Sequence, residues 1–178
     1  VLTATIPGSD PDLKNEEIVF SCHLDHQRPG SNDNASGSVT ILEVARTLQK
    51  LINEKKIPQP ARTIRFIWPP EIEGTVVFLN AHPEITRRMK AAIHMDMVGG
   101  GQETKAVFHV TRGPMSLPSF IYDVAEAFGG FVNEQSDAMA STGQSAYRLH
   151  APEGGKEALQ AEFVDFTLGS DHQVYSEG

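Results

Sequence analysis

Apolar, strand-forming runs alternate with helix-like stretches along this chain, and the runs end in histidines or carboxylates. Residues 17–22 lead into His23, residues 63–68 lead toward Glu71, residues 91–97 carry Asp96 near their end, and residues 162–168 precede Asp171 and His172. Strands that alternate with helices predict an α/β layered sheet, at least partly parallel. In such sheets ligands sit in the crevice beyond the carboxyl ends of the strands. The polar clusters fall at that edge, so one pattern predicts both the architecture and the place of the chemistry.

The longest helix is predicted over residues 36–54, where Ile41, Val44, Ala45, Leu48, Leu51 and Ile52 form one apolar stripe before Pro58 and Pro60. Residues 74–80 and 83–90 read as short helices, residues 105–111 as a strand, and residues 119–128 as a second amphipathic helix. The polar, glycine-containing segment 136–155 reads as a substrate-facing loop. At 178 residues, 39% hydrophobic and 21% charged, the chain has the balance of one folded domain over residues 1–178. No apolar run is long enough to span a membrane. A net charge of −8 argues against nucleic acid as a partner, because phosphate binding needs clustered Lys and Arg. The single cysteine, Cys22, excludes an intrachain disulfide and a cysteine-built zinc cluster. An opening on Val1 without a basic, apolar leader is expected of a processed or partial form.

Each polar cluster has an ordinary explanation when taken alone. His23-Leu24-Asp25 can be a solvated strand end, although the two-residue spacing lets Asp25 accept from one imidazole nitrogen and free the other for a metal. Ser31-Asn32-Asp33-Asn34 can be a helix cap. Glu71 and Glu73 can be surface carboxylates, but they follow a strand stiffened by Pro69 and Pro70. Asp96 ends an apolar strand, where an unpaired carboxylate would be costly to bury. Two histidines and several carboxylates at one sheet edge make the N/O donor set that zinc accepts, whereas calcium favours oxygen alone. No Gly-x-Ser-x-Gly elbow of a serine hydrolase is present, and the loop after the first strand is not a glycine-rich nucleotide turn.

The motifs HLD, SNDNASG opening a helix, RTIRFIWPPEIEG, HMDMVGG and SDH, in this order, resemble the co-catalytic zinc exopeptidases of the bacterial leucyl aminopeptidase family. That clan also holds glutaminyl cyclases and the transferrin receptor ectodomain. The resemblance covers about residues 15–175 and implies a three-layer sandwich with a mostly parallel central sheet flanked by helices. It implies zinc, one or two ions, held by His23, Asp33, Asp96 and His172, with Asp33 bridging, Asp25 orienting His23, and Glu71 as general base. Where the family has adjacent glutamates, this chain reads Glu71-Ile72-Glu73, so Glu73 is a displaced candidate for the second metal. The implied reaction is zinc-assisted hydrolysis of a peptide or aminoacyl substrate at its amino terminus. Acyl transfer of the glutaminyl-cyclase type on one zinc and a non-catalytic binding module are the alternatives. A secreted or periplasmic setting is also implied. The family's domain continues beyond its last histidine, so this chain is expected to be part of a longer protein, incomplete at its C-terminal side.

Overall fold

Ile18, Val19 and Phe20 are β-branched or aromatic, and so are Thr63, Ile64, Phe66, Ile67 and Trp68; both segments suit a pleated sheet buried on two faces. The computed structural model, which describes residues 1–99, 108–142 and 161–177, places them in its central sheet. The chain divides into two compact units, residues 1–99 with 168–178, and residues 100–167.

In the first unit the strands are β1 (Leu2–Ile6), β2 (Glu17–Ser21), β3 (Thr63–Trp68) and β4 (Met89–His94), in the order β1-β3-β2-β4. β2 runs parallel to both β3 and β4, while β1 is antiparallel to β3, with Leu2 opposite Trp68 and Ile6 opposite Ile64. Helix α1 (Gly37–Asn53) covers one face: Ile41, Val44, Ala45, Leu48 and Ile52 pack against Ile6, Phe20, Cys22, Ile64, Phe66 and Trp68. Helices α2 (Glu73–Ala81), α3 (Pro83–Thr86) and α5 (His172–Glu177) cover the other, where Phe78, Leu79, Ile85, Val174 and Tyr175 meet Val19 and Ile67. Alternation along β3 sends Phe66 to one side and Ile67 to the other, as the two-residue period of a strand requires. Each such fully buried side chain contributes about 1.5–3 kcal/mol relative to exposure. At the amino end of β2, buried Glu17 accepts from Arg65 at 2.5 and 3.0 Å, which offsets the cost of burying its charge.

In the second unit, β5 (Phe108–Thr111) pairs in parallel with β6 (Ala161–Val164), and α4 (Ile121–Thr142) packs on β6.

The mostly parallel sheet and its helices agree with the expected class, and several boundaries differ. β1 has no counterpart among the predicted elements; Leu2-Thr3-Ala4-Thr5-Ile6 is short and largely exposed, and its strand form comes from pairing with β3. The helix expected over 83–90 stops at Thr86, because Met89 and Lys90 join β4 and Met89 packs in the core. α4 runs on to Thr142, so residues 136–142 of the expected substrate-facing loop are helical, while 143–155 lie outside the described residues. Of the strand expected over 105–111, residues 105–107 also lie outside them, and the last strand closes at Val164 rather than Leu168.

Candidate metal centre

His23, Asp33 and Asp96 come together beyond the carboxyl ends of β2 and β4. His23 follows β2 by two positions and is fully buried. Its Nδ1 lies 2.8 Å from the Asp25 carbonyl oxygen, which can only accept, so Nδ1 carries the proton and Nε2 presents a lone pair. Nε2 faces Asp33 Oδ1 at 3.1 Å, Asp96 Oδ1 at 3.4 Å and Glu71 Oε1 at 4.0 Å. The orienting group therefore differs from the expected one. The backbone of Asp25 holds the imidazole, while its carboxylate stands 3.8 Å from Nδ1 and accepts the Glu71 amide hydrogen at 2.8 Å.

Asp33 and Asp96 lie on two loops that asparagines stitch together. Asp33 belongs to a kinked turn, Ser31–Ser36, whose φ/ψ leave the helical region at Asp33 and Asn34. Buried Asn34 donates to the Met95 carbonyl at 3.0 Å and accepts from the Gly37 amide at 3.0 Å. Asn32 accepts from the Gly99 amide at 2.8 Å. The two asparagines flank Asp33 and bind the segment around Asp96, which fixes one carboxylate against the other.

Glu71 is set by a second pair of carboxylates. Asp25 takes its amide hydrogen, and Asp171 Oδ1 takes that of Ile72 at 2.5 Å. Ile72 adopts φ 47°, uncommon for a β-branched residue. Its side chain packs into the core cluster and offers the site no donor. Glu73 is exposed at the start of α2 and is not a member of the His23-Asp33-Asp96 group. His172 opens α5 with its ring 6.5 Å from that of His94, and it too lies outside that group.

The electrostatics call for positive charge. Burial alone would depress His23, but the Asp25 carbonyl and the carboxylates of Asp96, Glu71 and Asp33 outweigh it and raise its pKa. Burial raises Glu71, and Asp96, Asp171 and Asp33 add to that against the opposing pull of His23. Burial likewise raises Asp171, against the Ile72 amide. His23 Nε2 and Asp96 Oδ1 are buried and make no hydrogen bond. Such atoms are costly unless something pairs with them. Ligand bonds of about 2.0–2.2 Å in a tetrahedral zinc site put neighbouring donor atoms roughly 3.4 Å apart, so the 3.1 and 3.4 Å separations fit one cation shared by the three residues.

Four contributors escaped the sequence reading as site residues. Asn32 and Asn34 read as turn formers, Asp171 reads as a neighbour of His172, and His94, pushed down to about 4 by burial, closes β4 and contacts Ser170 Oγ at 2.9 Å. The alternation Asn-Asp-Asn is the one local signal that distinguished tether from ligand.

The sequence profile of peptidase family M28 matches residues 2–177. Over 113 residues the chain is 33% identical to leucine aminopeptidase 1 of Trichophyton equinum, covering 55% of this chain and 28% of that protein. Over 92 residues it is 34% identical to an aminopeptidase of Pseudomonas aeruginosa, covering 48% of this chain and 16% of that one. The chain therefore spans less than a third of the length of these curated relatives. Its fold is similar to the glutaminyl cyclase of Macrostomum lignano (TM-score 0.62, 13% identity, 98% of this chain and 56% of that one). It is also similar to the LapA aminopeptidase of Legionella pneumophila (TM-score 0.57, 21% identity, 98% and 45%). A parallel sheet with histidine and carboxylates gathered at its carboxyl edge, and a family match along nearly the whole chain, lead to one conclusion: this chain belongs to peptidase family M28.

Proposed function

We propose that the protein is a zinc-dependent aminopeptidase in which His23, Asp33 and Asp96 hold the catalytic ion and Glu71 is the general base. The observation that carries this reading is the triad of donor atoms around His23 Nε2, spaced as ligands of one ion and lacking hydrogen bonds at His23 Nε2 and Asp96 Oδ1. The Trichophyton and Pseudomonas relatives are aminopeptidases, which supports the reaction class. When bound, zinc supplies a Lewis acid that polarises the scissile carbonyl and acidifies water. Glu71, 4.0 Å from His23 Nε2, stands beside the ligand group without belonging to it, as a proton carrier should. Its Oε1 takes the proton of the attacking water and returns it to the leaving amine. His172 joins the ligand set on the strength of the sequence resemblance.

Two variants test the assignment. Glu71→Gln preserves shape and removes the proton acceptor, so turnover on an aminoacyl anilide falls roughly 10²–10⁴-fold with zinc content nearly intact. Asp33→Asn loses zinc by elemental analysis, whereas the surface change Glu54→Gln does not. Full turnover in Glu71→Gln would remove Glu71 from the mechanism. An N-terminal glutaminyl peptide run alongside the anilide separates hydrolysis from cyclisation.

A further inference from the structure

Glu71 stands on a turn that backbone contacts pin along its length. The Leu24 amide donates to the Pro69 carbonyl at 2.9 Å, and the Glu71 amide donates to Asp25 Oδ1 at 2.8 Å. The Ile72 amide donates to Asp171 Oδ1 at 2.5 Å, and the Val76 amide to the Ile72 carbonyl at 2.9 Å. Within this turn Ile72 takes φ 47° and ψ −74°, a conformation that strains a β-branched residue. The turn is also tightly closed, since a Cβ at Gly74 would stand 2.6 Å from the Pro70 ring. The positive φ sends successive side chains apart. Ile72 enters the core cluster of Val19, Ile67 and Val174, while Glu71 Oε1 faces His23 Nε2 at 4.0 Å. Relaxation of residue 72 to a negative φ would redirect the chain on either side of it, so Glu71 and Ile72 could not both keep these places.

Two carboxylates resist that relaxation, from opposite sides. The Asp25 side chain is 57% exposed, so water competes for its hydrogen bond. Asp171 is fully buried, where no water competes and a hydrogen bond to a carboxylate is strong. Burial works against the Asp171 charge, and the Ile72 amide is the largest of the contacts that offset it. The carboxylate is itself anchored. Its own backbone carbonyl accepts the Val174 and Tyr175 amides of α5, and both of those side chains pack in the cluster that receives Ile72. Asp171 does not belong to the His23-Asp33-Asp96 donor group, so its one described service to the centre passes through residue 72.

We infer that Asp171 is a positioning residue for the general base: by holding the Ile72 amide it keeps residue 72 in its strained conformation and Glu71 aimed at the ion. The inference rests on the proposed role of Glu71 and adds the residue that fixes its direction from within the core.

A double-mutant cycle on the zinc-loaded, full-length protein tests it, with kcat, KM and zinc content read for every variant. Asp171→Ala lowers kcat roughly 10–100-fold, the range for a residue that orients a catalytic group. Zinc content stays at the wild-type level and KM within about twofold, because an interaction that serves only the transition state leaves ground-state binding alone. Asp171→Asn keeps an oxygen acceptor for the Ile72 amide and recovers most of the rate. In the Glu71→Gln background the base is already lost, so Asp171→Ala lowers kcat further by less than about threefold, since residues that act through one another are not additive. Should Asp171→Ala fail to fold, Asp171→Ser, too short to hold the amide, takes its place in the same cycle. An equal loss in both backgrounds overturns the inference, because Asp171 would then act on the fold and not through Glu71. Loss of zinc in the Asp171 variant overturns it as well, and leaves Glu71 as the base. Full turnover in Glu71→Gln alone removes the proposed base itself, and the positioning role with it.

Discussion

Asp25 illustrates how one residue can serve two neighbours with different parts, backbone and side chain. Its carbonyl fixes the His23 ring at 2.8 Å, and its carboxylate fixes the Glu71 amide at 2.8 Å. A substitution that removes the carboxylate leaves the carbonyl in place. Asp25→Ala should therefore retain zinc while turnover falls roughly 10–100-fold, the range typical of residues that orient a catalytic group through a hydrogen bond. Asp25→Asn retains an oxygen acceptor and should recover most of the rate. Zinc content measured beside kcat and KM decides the matter: a loss of zinc in Asp25→Ala would show that the carboxylate, not the carbonyl, holds His23.

Between elements, the important joint is the one that Asn34 makes. It ties the amino end of α1, through Gly37, to the segment after β4, through Met95, and so holds Asp33 and Asp96 at a fixed separation. Asn34→Ala removes the side-chain donor to the Met95 carbonyl and the side-chain acceptor of the Gly37 amide, which keeps the Asn34 backbone carbonyl as its other acceptor. It should cost about 1–3 kcal/mol by denaturant titration and weaken zinc binding as well. Asn34→Asp is the sharper probe, because it keeps the acceptor for Gly37 but cannot donate to Met95. If Asn34→Asp matched the wild type in both measurements, the joint would not depend on that donation. The elements themselves were legible where their cause is local. The stripe from Ile41 to Ile52 reads as a helix from its own spacing, and the apolar runs at β2 and β3 read as strands from theirs. β1 was not legible, because Leu2–Ile6 becomes a strand only through its partner β3. The gathering of His23, Asp33 and Asp96 followed from the carboxyl-edge rule. The work of the Asp25 carbonyl could not be read, since every residue has one. The inward turn of Ile72 depends on a backbone angle that residue types do not announce.

At the scale of the molecule, the centre joins the β2–α1 connection, which carries His23 and Asp33, to the segment after β4, which is distant in sequence and carries Asp96. A cation bound there cross-links the carboxyl edge of the sheet and stabilises only the folded form, so metal binding and folding are linked. The sequence contains one cysteine, and it sits immediately before His23 with no exposed surface. Burial pushes its thiol up to about 11, so the native side chain is both hidden and protonated at neutral pH. That placement makes Cys22 a built-in opening clock. A thiol reagent such as Ellman's can modify it only when the edge that carries the centre comes apart, and the stoichiometry of the signal is one. The labelling rate should fall in proportion to 1 + [Zn]/Kd, so a chromophore read in a cuvette would report how often this edge breathes and how firmly a cation keeps it shut. Labelling that is fast and indifferent to zinc would place the thiol outside the region that the cation secures.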